Sequence, residues 1–210
     1  MRKTILLNLG LLIFLSFMLQ GAKCPGIPET EKIEITVVTE QFVELKFLAR
    51  GDINVHSDIQ YIDVDQLRQD IDDLGIEIDK VDTLRVSAVE YGTVAYYEPA
   101  QDRAITNGNV TVIRTDTQAQ ALLVSNFNMS VYPLLGQLAP APIVAGGIDF
   151  INDLLADLLT ALQNGTNPTL GVEGIVTGSS EPSGRESNFD WRMRIYFQIP
   201  GGFPVDVVDI

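Results

Sequence analysis

The sequence predicts a mainly β protein: an antiparallel β-sandwich of about seven to eight strands with two inserted helices. Three observations carry that expectation. Phe189, Trp191, Met193, Ile195, Phe197 and Ile199 alternate with Asp190, Arg192, Arg194, Tyr196 and Gln198, a strict period of two that turns one strand face to a core and the other to water. Shorter runs of the same kind recur along the chain. Only two stretches show helical spacing, and they do not alternate regularly with the strands, so a parallel doubly wound sheet is not expected. The pattern also admits a curled antiparallel sheet wrapped on the second helix.

Each element follows from its local pattern. Ile33, Ile35 and Val37 alternate with Glu34 and Thr36, and Val43, Leu45 and Phe47 with Glu44 and Lys46. These read as two strands, joined through Thr39-Glu40-Gln41 by a hairpin connection or a bulge. Val64, Leu67, Ile71 and Leu74 recur at steps of three and four, a helix that Asp63 is placed to cap and Gly75 to end. A long β segment follows from Val81 to Tyr97. Its apolar parity changes between Ala88 and Val89 and again before Val94, which predicts a bulge or strong twist with Gly92 in it. Ile105 to Arg114 reads as a strand with Asn107-Gly108 as turn or bulge, and Leu122 to Tyr132 as another. Pro133 to Gly147 holds three prolines and three glycines and is neither helix nor regular strand. Ile148 to Gln163 is the clearest helix, striped by Ile148, Ile151, Leu155, Leu158 and Leu162 and ended by Asn164-Gly165. Leu170, Val172 and Val176 share one strand face, and Gly178 to Ser187 reads as a polar loop before the last strand.

The 210 residues suit one domain with its own core. One cysteine and one histidine exclude an internal disulfide and a cysteine-rich zinc site. The net charge of −14 opposes binding to phosphate backbones, so no nucleic-acid partner is expected. Residues 1–23 hold three positive groups (Arg2, Lys3, Lys23) and no acids, so the rest of the chain is more acidic still.

That first segment carries the firmest functional expectation, which is export. Arg2 and Lys3 precede an apolar run from Ile5 to Leu19, interrupted only by Asn8, Gly10 and Ser16, and Gln20-Gly21-Ala22-Lys23-Cys24 closes it. A basic start, an apolar centre of this length and a small-residue end describe a secretory signal over residues 1–23. Cys24 stands where bacterial lipoprotein signals place their acylated cysteine, and the segment resembles that class. In that class a leucine-like residue and two small residues precede the cysteine; here those positions hold Gly21, Ala22 and Lys23, and Lys23 departs from the pattern. The resemblance implies a lipid anchor on Cys24; ordinary cleavage near Gly21 or Ala22 and an uncleaved anchor are the alternatives. Pro25-Gly26-Ile27-Pro28 completes a tether over 24–30, and a single β-rich domain is expected from 31 to 210.

Other chemistry-bearing residues are sparse. His56 lies beside Ser57 and Asp58, but neighbours in sequence rarely converge into a triad, and a solvated loop histidine is the expectation. Asp63, Asp65, Asp70, Asp72, Asp73 and Asp79 cluster on the first helix without the spacing or turning glycine of a calcium loop, so they read as a solvated face. Trp191 shares the parity of Phe189 and Met193 and belongs to the core. No phosphate loop, dinucleotide fingerprint, metal-ligand spacing or nucleophile elbow occurs; no cofactor, metal or catalytic residue is expected.

The expectation is therefore an exported bacterial envelope protein, lipid-anchored or else soluble in the periplasm or secreted, with a non-catalytic structural or interaction role and an unknown envelope partner. An alternative is a carrier holding an apolar ligand between the second helix and the sheet; a carbohydrate-active hydrolase ranks third. Phe127, Leu134, Leu135, Ile143, Leu155 and Leu158 are the candidates for the apolar ligand or partner surface. The Phe203–Ile210 tail is a second candidate patch.

Overall fold

The computed structural model describes residues 33–36, 41–73, 75–97, 102–183, 186–199 and 202–205. The described residues from Glu34 to Pro204 belong to one compact unit, and Ile33 and Val205 to a second. The expected signal segment, Cys24 and the expected tether lie outside the described residues.

Among the described residues, nine strands build two antiparallel sheets that pack face to face without closing into a barrel. The four-stranded sheet has the order β2 (Gln41–Gly51), β10 (Ser187–Gln198), β5 (Arg85–Tyr96), β8 (Ala139–Pro140). The five-stranded sheet has β9 (Gly171–Glu181) flanked on one side by β3 (Val55–His56) and β4 (Gln60–Tyr61), and on the other by β6 (Ala104–Arg114) and then β7 (Gln120–Ser130). The pairs nest in sequence: β2 with β10, β3 and β4 with β9, β5 with β8, β6 with β7. A long hairpin rolled up so that β10 also meets β5 and β9 also meets β6 has this order, which is that of a jelly roll. β1 (Ile33–Thr36) and β11 (Gly202–Val205) form a further two-stranded pair. Ile33–Thr36 and the Val43 strand are therefore not a hairpin with each other. Alternation records which face is apolar, and it is silent on which strand lies alongside.

The inner face of β10 is buried from Phe189 to Phe197, with Trp191 fully covered. Trp191 stacks on Phe47 of β2 with ring centroids 4.3 Å apart, and Phe127 reaches it from the opposite sheet at 5.8 Å. Gly174 sits between Val172 and Val176 on the facing side because a Cβ there would come within 2.9 Å of Phe47 and Leu45. The parity changes in β5 are real register shifts: Ser87 and Val94 are the extra residues opposite β10. Gly92 is not the bulge residue. Its missing side chain instead admits the backbone of Gln137, whose carbonyl oxygen would lie 1.8 Å from a Cβ. Asn107, at φ +51°, and Gly108 form a bulge within β6 rather than a turn. β9 continues as a paired strand to Glu181, so the polar loop is shorter than the composition of 178–187 suggested; Ser179 and Ser180 alternate in exposure like any strand pair.

Helix α1 (Val64–Asp73) starts where Asp63 Oδ1 accepts the Gln66 N–H at 2.9 Å and ends at Gly75, with φ +70°. It buries Val64, Leu67 and Ile71. One turn of 3-10 helix, Ile78–Lys80, precedes β5. Helix α2 (Ala145–Gln163) starts three residues before its apolar stripe and buries Ile151, Leu154, Leu155, Leu158, Leu159 and Leu162. Gly147 lets its first turn rest on the backbone of Leu122 and Leu123. Asn152 accepts the Val86 N–H at 2.9 Å, and Gln163 donates to the Val81 carbonyl at 3.0 Å. The helix packs against β7, β5 and the 3-10 turn. Among the described residues, no helix is long and apolar enough to cross a membrane.

Candidate functional site

The segment from Val131 to Val144 laces the two sheets together along one side. Leaving β7, the Val131 N–H donates to the Arg103 carbonyl at 2.7 Å, and its own carbonyl accepts the Thr93 hydroxyl at 2.6 Å. The chain then turns through Tyr132–Leu135, and Gly136 donates to the Thr93 carbonyl at 3.0 Å. Ala139 and Pro140 pair with Tyr91 and Glu90, and Ala141 donates to Val89 at 2.9 Å. The strand crosses back to the other sheet, where the Val144 N–H reaches the Leu123 carbonyl at 2.9 Å. Pro133, Pro140 and Pro142 have no N–H to give to a ladder, which keeps the contact to short bridges.

Anchoring the backbone on both sides leaves side chains outward. Tyr132 is 62% exposed, Leu135 41% and Ile143 48%, and Val94 and Leu122 beside them are also exposed. Tyr132 makes an edge contact with Tyr96 at 6.2 Å. Under this row Tyr91 is buried, its hydroxyl donating to the Asn128 carbonyl at 3.3 Å and its acidity weakened by burial.

The six residues singled out from sequence thus separate into two sets. Leu135 and Ile143 are on the exposed row and Leu134 is half-buried beneath it. Phe127, Leu155 and Leu158 are core residues, each at most 1% exposed. The space between α2 and the sheets, lined by Val43, Ile62, Leu155, Val172 and Phe197 among others, amounts to about 10 Å³. That is room for about one water molecule. Tyr132 was legible as part of the row, since Phe127, Met129 and Val131 set the inward parity and Tyr132 breaks it. Of the Phe203–Ile210 tail, 203–205 belong to β11 and 206–210 lie outside the described residues.

His56 is exposed at the end of β3, with Nδ1 2.7 Å from Glu173 Oε1 on β9. Ser57 turns away from it: its hydroxyl donates to the Asp58 carbonyl and accepts the Gly174 N–H, both within 2.9 Å. The α1 acids disperse into separate tasks. Asp63 caps the helix, Asp65 accepts from Asn167 and Asp70 from Gln66. Among the described residues no three histidine or acidic side chains converge as metal ligands do.

No family model and no curated protein matches the chain. Three solved structures align over most of it. They are Desmodium yellow mottle tymovirus (6% identity, 89% of this chain and 100% of that one, TM-score 0.26), infectious bursal disease virus Gt strain (12%, 86% and 39%, TM-score 0.31) and tobacco necrosis virus (9%, 85% and 95%, TM-score 0.20). Superpositions this loose assign neither kinship nor role.

Proposed function

We propose that the protein is an exported cell-envelope protein, anchored through Cys24, whose sandwich has a non-catalytic structural or interaction role and meets an envelope partner along the Tyr132–Ile143 row. The observation that carries this is where apolar surface is left over. The space beside α2 amounts to about 10 Å³, whereas Tyr132, Leu135 and Ile143 face solvent on a backbone fastened at both sides. Exposed apolar side chains held on a rigid support suit a docking surface.

The full chain expressed in a Gram-negative host tests both halves. Intact-mass analysis should find a mature N-terminus at Cys24 bearing acyl chains, and Cys24→Ser should move the protein from the membrane to the soluble fraction. A mature end elsewhere, or an unchanged distribution, overturns the anchor. For the row, a photo-cross-linking residue at position 143 should capture one discrete partner, and Leu135→Asp should abolish that adduct without lowering the urea midpoint by more than the equivalent of about 0.5 kcal/mol. Capture unaffected by Leu135→Asp overturns the docking assignment.

A further inference from the structure

Sheet edges leave backbone donors and acceptors unpaired, and folded chains guard them with short strands, prolines, bulges or a covering segment. Three of the four sandwich edges carry such guards. β8 is two residues long and includes Pro140; β3 and β4 are two residues each. β7 has an irregular register and is crossed by Pro142–Val144. Among the described residues β2 has none of these, and only the charges of Lys46 and Arg50 on its outward row stand against pairing. It runs eleven residues in unbroken register with β10, contains no proline and pairs with no other strand. Its outward row includes Phe42 and Leu48, 45% and 56% exposed.

That row is also complementary to itself. In an antiparallel copy related by a twofold axis through Leu45, Glu44 of one chain faces Lys46 of the other, and Phe42 faces Leu48. Each pairing occurs twice, as an isologous contact requires. On the inner side Val43 faces Phe47 and Leu45 faces itself, so the apolar layer runs on unbroken. Moving the axis one residue in either direction sets Lys46 against Lys46 or Glu44 against Glu44. An axis between residues would put outward side chains opposite inward ones. Lys46 already forms an ion pair with its own Glu44 at 3.8 Å, at the long end for such a contact, and its side chain is 60% exposed and within reach of a partner's carboxylate.

We propose that β2 is a homotypic docking edge, through which two copies of this chain pair antiparallel about Leu45 and join their four-stranded sheets into one. The contact uses a different face from the Tyr132–Ile143 row and stands or falls independently of it.

Thiol cross-linking tests the register. Full chains carrying Cys24→Ser and either Phe42→Cys or Leu48→Cys, held in mild detergent, are oxidised separately and mixed. The mixture should yield a disulfide-linked dimer and the separate variants should not, because like positions lie six residues, about 20 Å, apart along the paired strands. Absence of the mixed product, or equal linking of a single variant with itself, overturns the proposal. Lys46→Glu, which sets carboxylates against each other at two places, should raise the dimer Kd by sedimentation about tenfold while leaving Tm unchanged. An unaltered Kd overturns it too.

Discussion

Arg114 is the polar tie between the β6–β7 turn and α2, and its removal separates charge from packing. Nε reaches Asp116 Oδ1 at 3.0 Å, and one terminal nitrogen reaches both Asp116 Oδ2 and Asp157 Oδ2 at 2.7 Å. Arg114→Met keeps a long apolar stem in place and deletes the charge. Neither carboxylate is stranded, since the Asp116 and Asp157 side chains are 29% and 61% exposed. The loss is therefore that of partly screened charge-assisted bonds, about 2 kcal/mol. With a urea dependence of about 2 kcal/mol per molar, the midpoint should fall by about 1 M. Trp191 is the only tryptophan and is fully buried against Phe47, so its fluorescence reports the transition. The pH dependence has a defined sign. Hydrogen bonding to Arg114, against some desolvation, holds the Asp116 carboxyl below its ordinary value of 3.8. A group whose pKa is depressed by folding stabilises in full above its unfolded value and loses that contribution as pH falls through the folded one. The gap between wild type and variant should thus narrow as pH drops below about 4. A gap of constant size from neutral pH into acid would refute the electrostatic account and assign the stabilisation to the stem.

Gly92→Ala places a methyl group on the Gln137 carbonyl, a backbone atom that yields only if the lace lifts off β5. It should cost about 1–3 kcal/mol and speed amide exchange at Gly136 and Ala141; unchanged protection there would contradict the close approach. Asp63→Ala removes the α1 cap and should cost about 1 kcal/mol in urea denaturation, with Asp63→Asn recovering most of it.

The elements were legible because the residues that make them obey local rules. The strict alternation of β10 requires only that one face be apolar, and every inward member is buried. The stripe of α2 and the Asp63 and Gly75 signals of α1 are likewise short-range, and they appear where the spacing put them. Even the two parity changes in β5 correspond to extra residues opposite β10. Gly92 was misassigned because its demand comes from Gln137, forty-five residues later in the chain. The continuation of β9 through Ser179 and Ser180 was hidden for a related reason: serine and glycine look like loop, and it is pairing with β6 that makes them strand. The row at Tyr132–Ile143 was half legible. Its prolines announced an irregular segment, but the split between exposed Leu135 and half-buried Leu134 depends on how the backbone is tied to β5.

The two strands that meet at Trp191 show why such ties decide what a surface is for. β10 and β2 carry the same alternating pattern, yet the outward charges of β10 are answered from the neighbouring strands. Arg194 and Arg192 reach Glu44 at 2.7 and 3.4 Å, and Asp190 receives both Arg50 and the Tyr97 hydroxyl. A strand with neighbours on both sides can satisfy an ionic row in this way. β2 has a neighbour on one side only, and its outward row keeps Phe42 and Leu48 between the charges, with Arg194 lying over the Phe42 ring at 4.5 Å. Exposed apolar side chains on an edge are costly in an isolated sandwich and become favourable once a second strand covers them. The same reasoning applies to the Tyr132–Ile143 row, where the backbone is fastened to both sheets with Tyr132, Leu135 and Ile143 exposed. Both rows keep apolar area open to water, and contacts with other chains are what would remove it there.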